Sequence, residues 1–421
     1  MAVGLAELII LGLLVDWLFR RAHVPGLIGL LLLGVLFGPY GLGRLSPELL
    51  AISADLRLVA LIVILLRAGF ELSRDVLARV GRLALLLSCV PAVIEGAAIT
   101  ALGPHLLGLS YLESAILGSM LAAVSPAVVV PLMIQFIEQR RGAEKGIPTL
   151  VLAASSIDDV FVIVIYSVLI GIYTGQEVSI AWKLAGIPIS ILLGIAVGLA
   201  AGWGLYLLFR RFNPRATKRV LIILGISVLL VQAERMLEDV LPFAALLAVM
   251  AIGFIILEKH EHYAHELSAK LGKLWVFAEI VLFTMVGAQV DVRLAWQTGL
   301  AGAAVIGLGL VARSAGTYIC LLGSNLSRGE RLFVVIAYCP KATVQAAIGA
   351  APLAAMRLAG MDTGPGEIML AVAVLSILLT APMGAWAIAW SGKRLLAVAP
   401  PDRQEARNAM HESHGTDDLV L

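Results

Sequence analysis

Runs such as LIGLLLLGVLF and LIILGISVLLV are apolar on every face. A helix of that kind is stable only in a large core or in lipid. Crossing ~30 Å of hydrocarbon takes about 20 helical residues, and stretches of roughly that size, separated by short polar joints, recur thirteen times. They cover 3–19, 24–39, 54–70, 83–104, 112–137, 147–173 and 181–209, then 219–237, 241–257, 272–290, 296–322, 331–354 and 366–391. The least marked break is ERMLEDVLPF, between the eighth and ninth. Strict alternation with polar turns, the signature of barrel strands, is missing from these runs. A backbone in lipid must satisfy its own hydrogen bonds, so the expected fold is an all-α polytopic membrane protein of about 13 transmembrane helices.

Composition points the same way. The chain is 60% apolar and 14% charged, with a mean hydropathy of +0.97, whereas soluble domains carry about 25% charged residues. A soluble enzyme and a disordered protein are both excluded. A net charge of +2 is too small to suggest a nucleic-acid partner. Cys89, Cys320 and Cys339 lie in apolar runs without metal-ligand or disulfide spacing and read as packing residues. The N-terminus lacks a basic leader and a small-residue cleavage signature, so it reads as a retained first span.

Joints after odd-numbered spans, with the C-terminal tail, hold 22 Lys and Arg, against 5 (Arg44, Lys183, Arg235, Arg293 and Arg357) after even-numbered ones. The positive-inside rule then places the N-terminus outside and the C-terminus in the cytoplasm. The polar tail, 393–421, is expected to be disordered. The joint EKHEHYAHELSAK gathers His260, His262 and His265, groups able to titrate near neutrality, and reads as solvated.

With thirteen helices, the seventh can connect two groups of six that enter the membrane from opposite sides, an inverted repeat. The fifth helix of each group carries a mid-span proline after a small residue, in LAAVSPAVVVP and VIAYCPKATVQAAIG. Proline removes an internal hydrogen bond and disfavours helix in the residue before it. Ser125-Pro126 and Cys339-Pro340 are therefore candidate helix breaks at matching positions, the pattern that marks a transporter's substrate site.

Five ionisable residues lie well inside spans: Glu95, Asp158, Asp159, Arg313 and Lys341. Each costs about 2.5–3.5 kcal/mol or more at the bilayer centre unless paired or hydrated, so they are expected to find one another. Three acids against two bases leave one carboxylate over, a site for a cation. Asp158 and Asp159 point about 100° apart on a helix, so one faces the ion path and the other a basic partner. Ser125 and carbonyls released near Pro126 supply the neutral oxygens that hard cations take, and Lys341 offsets the converging negative helix ends. A poorly solvated carboxylate favours its protonated form. Proton and metal cation then compete for one group, and alternating exposure of that group makes antiport. Arg67 and Glu71 can snorkel from the end of the third helix, and Glu279 can face a cavity; all three are placed outside the site.

The segments LGSMLAAVSPAVVVPLMIQ, EKGIPTLVLAASSIDDV and CPKATVQAAIGA resemble sodium/proton antiporters of the monovalent cation/proton antiporter superfamily, closest to a bacterial member of the NHA branch. The resemblance implies a homodimer in which a core domain with two crossed broken helices moves like an elevator against a dimerisation domain. Mapped onto this chain, the dimerisation domain takes 1–81 and 219–295, the core takes 82–173 and 296–392, and 174–218 links them. By position, Asp159 matches the aspartate that binds the ion and Asp158 the one that pairs with a basic residue, and the candidate metal site is Asp159, Asp158 and Ser125. In many relatives the pairing lysine comes from the helix before the second broken one, where this chain has Arg313, so Lys341 is assigned to Asp158 and Arg313 to Glu95, which matches a glutamate of the NHA branch. The transported ions are Na+ or Li+ and H+, with no cofactor. Where many relatives carry Thr-Asp in the first broken helix, this chain has Ser125-Pro126-Ala127, one acid fewer. Alternatives are a potassium/proton exchanger or cation channel of the same superfamily and, remotely, an intramembrane aspartyl protease. The protease is disfavoured because its two aspartates come from separate helices, whereas these two are contiguous.

Overall fold

The computed structural model describes residues 2–22, 24–72, 74–174, 180–237 and 243–399. Its first helices are α1 (Ala2–Arg21), α2 (Gly26–Phe37), the short α3 (Pro47–Ala51), α4 (Ser53–Gly69) and α5 (Arg74–Leu107). Next, α6 (Tyr111–Leu121) and α7 (Pro126–Glu138) divide one apolar stretch between them, followed by α8 (Ile147–Tyr173) and α9 (Ile180–Phe212). The second half holds α10 (Ala216–Leu237), α11 (Ala245–Lys259), α12 (Glu261–Ala288) and α13 (Val292–Cys320). It closes with α14 (Arg328–Ala337), α15 (Thr343–Ile348), α16 (Ala351–Leu358) and α17 (Gly364–Leu395). Eight spans among the described residues are long and apolar enough to cross a membrane, the α6–α7 stretch counting as one.

Some boundaries differ from the hydropathy reading. α5 begins at Arg74 rather than 83, and α12 at Glu261 rather than 272. In both cases the helix continues past the apolar segment with a buried stripe at helical spacing: Val80, Ala84 and Leu87 in α5, and Ala264, Leu267 and Leu271 in α12. An apolar stripe of that period is enough to dock a helix outside the hydrocarbon. The histidine joint is thus mostly helical. His260 caps α12, its Nδ1 accepting from the Tyr263 N–H at 3.3 Å. The tail is ordered further than expected: Lys393 and Arg394 lie in the last turn of α17, and Val398 bridges to Arg141. Residues 400–421 lie outside the described residues, as do 238–242 within the ERMLEDVLPF break.

α12 packs against α2 and α4, and α11 against α4 and α9. α5 packs against α6, α8 and α13, with α17 against α13 and α14. Backbones approach closely in the first set: a Cβ at Gly287 would lie 2.1 Å from the Leu31 carbonyl oxygen, so α2 and α12 cross on glycine. The two sets meet where α8 touches α9, α7 touches α4 and α17 touches α2.

The two halves of the chain echo each other most closely where the broken stretches begin. α6 starts with a capping box of Ser110 and Glu113, and α14 with one of Ser327 and Glu330. Both N-caps have φ −65° and ψ 165°. In each box the serine hydroxyl accepts from the N3 amide while the glutamate accepts from the N-cap amide.

Candidate functional site

Between α6 and α7 the chain is non-helical over residues 122–125, and α7 restarts with Pro126 in its first turn after an extended Ser125 (φ −88°, ψ 107°). Proline is tolerated there because a first-turn N–H has no helical partner. Between α14 and α15 the chain is non-helical over residues 338–342, which contain Pro340 and Lys341. The two breaks touch: Ser125 N–H donates to the Pro340 carbonyl at 2.9 Å, and the Ser125 and Thr343 hydroxyls lie 3.3 Å apart.

Breaking a helix inside the membrane frees backbone groups that no water can serve, and charged side chains serve them here. Arg313 of α13, fully buried, donates through Nε to the Tyr338 carbonyl at 2.7 Å and through Nη1 to the Ala122 carbonyl, so it holds both breaks. The same guanidinium reaches Glu95 of α5 at 2.9 Å and both carboxylate oxygens of Asp158 of α8 at 3.3 Å. Asp158 in turn accepts from the Val124 N–H at 2.8 Å. Lys341 Nζ donates to Glu95 at 2.6 Å, while its backbone N–H donates to Thr380 Oγ1 at 2.8 Å.

The expected pairing of Lys341 with Asp158 is therefore corrected. Lys341 pairs with Glu95, and Arg313 joins Glu95 to Asp158. A one-to-one assignment overlooked that a guanidinium is a rigid fork of five donors able to serve several acceptors, while an ammonium is a compact point charge. Two further residues expected at the metal site make contacts of their own. Asp158, expected as an ion ligand, has its oxygens committed to Arg313 and Val124. Ser125, expected to offer a free oxygen, has its hydroxyl turned to the Thr343 hydroxyl and to its N–H at 3.4 Å.

Asp159 stands apart. It is 8% exposed, its Oδ1 is buried without a hydrogen-bond partner, and neither Arg313 nor Lys341 is within salt-bridge distance. Two acids and two bases close on each other, and the third acid is left over. One helical turn before it, Ser155 and Ser156 turn their hydroxyls back to the Leu152 carbonyl, on the same face of α8. Residue-by-residue reading passed over these serines, although their i−4 and i−3 spacing from Asp159 was visible. It also passed over Thr380 and Tyr338, whose roles depend on contacts distant in sequence.

A cavity of about 590 Å³ opens between α1, α2, α4 and α12 on one side and α7 and α17 on the other. Its polar lining includes Asp16, Arg20, Arg67, Glu138 and Glu279. Asp159 is not among the lining residues. Glu279 lies 3.7 Å from Arg20, which is held by Asp16 at 2.8 Å. Arg67 crosses the cavity to Glu138, and Glu71 accepts from Ser268 at 3.2 Å.

A sodium/hydrogen exchanger, transmembrane, family model matches residues 8–390. Human sodium/hydrogen exchanger 9B2 is 33% identical over 380 residues, covering 89% of this chain and 70% of that protein. Human sodium/hydrogen exchanger 9B1 is 30% identical over 353 residues, covering 82% and 67%. In fold, the chain resembles the sodium proton antiporter MjNhaP1 from Methanocaldococcus jannaschii at pH 8, with a TM-score of 0.73 at 21% identity over 94% of this chain and 98% of that one. A second, electron-microscopy structure of MjNhaP1 gives a TM-score of 0.76 at 22% identity, over 96% and 99%. The crossed breaks, the buried charge cluster and these likenesses together place the chain in the transmembrane sodium/hydrogen exchanger family, as a cation/proton antiporter and not an enzyme.

Proposed function

We propose that the chain exchanges Na+ or Li+ for H+, the two ions competing for Asp159. The observation that carries this reading is the lone carboxylate: Asp159 Oδ1 is buried and unpartnered beside a charge cluster that is complete without it. A proton or an alkali cation can each serve that oxygen, and neither can do so while the other is bound. Asp158, Glu95, Arg313 and Lys341 keep the two breaks in register around it, and Ser125 ties one break to the other.

Movement of the α5–α8 and α13–α17 block against the remainder, the elevator motion, is supported by the cavity along the seam between the two sets. The proposed domain division follows the same seam: core 82–173 and 296–392, dimerisation domain 1–81 and 219–295, linker 174–218. The proposal includes a homodimer in a bacterial cell membrane with the N-terminus outside, the orientation resting on the bias of Lys and Arg among the joints. It assigns no resident cofactor, since the transported ions are themselves the chemistry.

Purified chain reconstituted in vesicles tests the reading. Added Na+ or Li+ is expected to collapse an imposed pH gradient, and Asp159→Asn is expected to abolish the effect. Collapse by K+ in place of Na+ and Li+ would move the reading to a potassium/proton exchanger. An unchanged rate in Asp159→Asn would remove the site.

A further inference from the structure

Nine buried side-chain polar atoms have no hydrogen-bond partner among the described residues. Seven are hydroxyls or guanidinium nitrogens, which donate. The remaining two are oxygens of a different kind, the amide oxygen Oε1 of Gln345, at the crossing of the broken helices, and Oδ1 of Asp159, next in sequence to the Asp158 that holds the first break.

Gln345 is 2% exposed and sits in the first turn of α15, just past the second break. Its Nε2 donates to the carbonyls of Met120 at 2.9 Å and Ala123 at 3.2 Å. Those bonds fix the amide's orientation, because the reversed rotamer would set an acceptor against two acceptors. Oε1 is therefore left facing away from both carbonyls. Val344, the preceding residue, shares an apolar cluster with Ala122, Ala123 and Val162, and Val162 lies one turn beyond Asp159 on α8. The segment of α15 carrying Gln345 thus shares an apolar cluster with the first break and with Val162, one turn from the free carboxylate on α8. A buried amide oxygen without a donor is costly, and amide oxygens are ordinary ligands of hard cations.

We propose that Gln345 Oε1 is a ligand of the transported alkali cation, completing with Asp159 a site whose net charge is that of one carboxylate. The proposal rests on the reading of Asp159 given above. It gives Gln345 two tasks: the nitrogen steadies the first break, and the oxygen contributes a neutral donor where that break supplies no acid.

Thermal unfolding of the purified full-length chain, titrated with NaCl or LiCl against choline chloride at matched ionic strength, separates these tasks. Wild type is expected to gain stability with Na+, and Asp159→Asn to lose that gain. Gln345→Met is expected to weaken the apparent Na+ affinity about tenfold and to alter the ratio of Na+ to Li+ affinities. Gln345→Glu, which adds a charge to the site, is expected to tighten cation binding. If Gln345→Met does not fold, Gln345→His keeps an N–H toward the first break while removing the amide oxygen, and serves the same comparison. A Gln345→Met or Gln345→His protein with a lower midpoint in choline but the wild-type rise with Na+ would overturn the proposal and leave the Asp159 reading standing. Wild-type protein insensitive to both cations would overturn the Asp159 reading and this one with it.

Discussion

The two broken stretches begin alike and are completed differently. Each opens on a serine–glutamate capping box with the same N-cap backbone angles, and each stops being helical just before or at a proline. The first break contributes only neutral groups, and its freed carbonyls and N–H are taken by Arg313, Gln345 and Asp158 from other helices. The second brings its own charge, Lys341, and needs only Arg313, Ser125 and the Thr380 hydroxyl. A repeated scaffold has acquired an unequal charge distribution, and Asp159 stays outside the ion pairs that complete it.

The largest expected effect tests that asymmetry directly. Asp159→Asn should bring sodium-driven proton flux in vesicles to background while shifting unfolding by about 1 kcal/mol or less, since the altered oxygen has no partner to lose. Arg313→Met should be the most destabilising change, by about 3–5 kcal/mol, because it takes the cationic partner from buried Asp158 and frees one carbonyl in each break, while Glu95 keeps only Lys341. Lys341→Met should cost less, about 1–3 kcal/mol, as Glu95 keeps Arg313. Adding Glu95→Gln should recover part of that loss, whereas adding Asp158→Asn should not. Chemical-denaturant melts of the three proteins decide whether the second break depends on its own lysine as little as the contacts imply.

Gly384→Ala sharpens the comparison from the packing side. A Cβ there would lie 2.5 Å from Cγ of Pro340, so α17 should be pushed off the second break at a cost of about 1–3 kcal/mol, read as a lower melting midpoint. The smallest effect concerns the caps. Burial raises the Glu330 carboxyl pKa, but the Lys145 ammonium and the Ser327 groups outweigh it and hold the carboxyl below its usual value. Its contribution is therefore present above the unfolded carboxylate range, about pH 4.3, and disappears as pH falls through the folded value. Melts of wild type and Glu330→Gln should differ at neutral pH and converge in acid.

Much of this was legible in the chain itself. Apolar length located the helices, because lipid leaves a backbone few other solutions. Counting charges singled out the residues that cluster, because a buried ion must be answered by another. Direction was the part that counting left open. Nothing in a list of acids and bases says that Lys341 turns to Glu95 or that Arg313 serves four acceptors. Those outcomes depend on side-chain reach and on which carbonyls each break exposes. Gln345 was hidden for a related reason: a neutral amide in an apolar run draws attention only once its neighbours show that its oxygen has nothing to meet.

The grip of one guanidinium on the Ala122 and Tyr338 carbonyls has a mechanical consequence. The strands that cross at the site are riveted to a common post, and neither can slide past the other without tearing it out. The proposed exchange would therefore carry both broken helices together. The post itself stands on α13, whose backbone leaves helical geometry fourteen residues earlier at Gly299, with φ 50°.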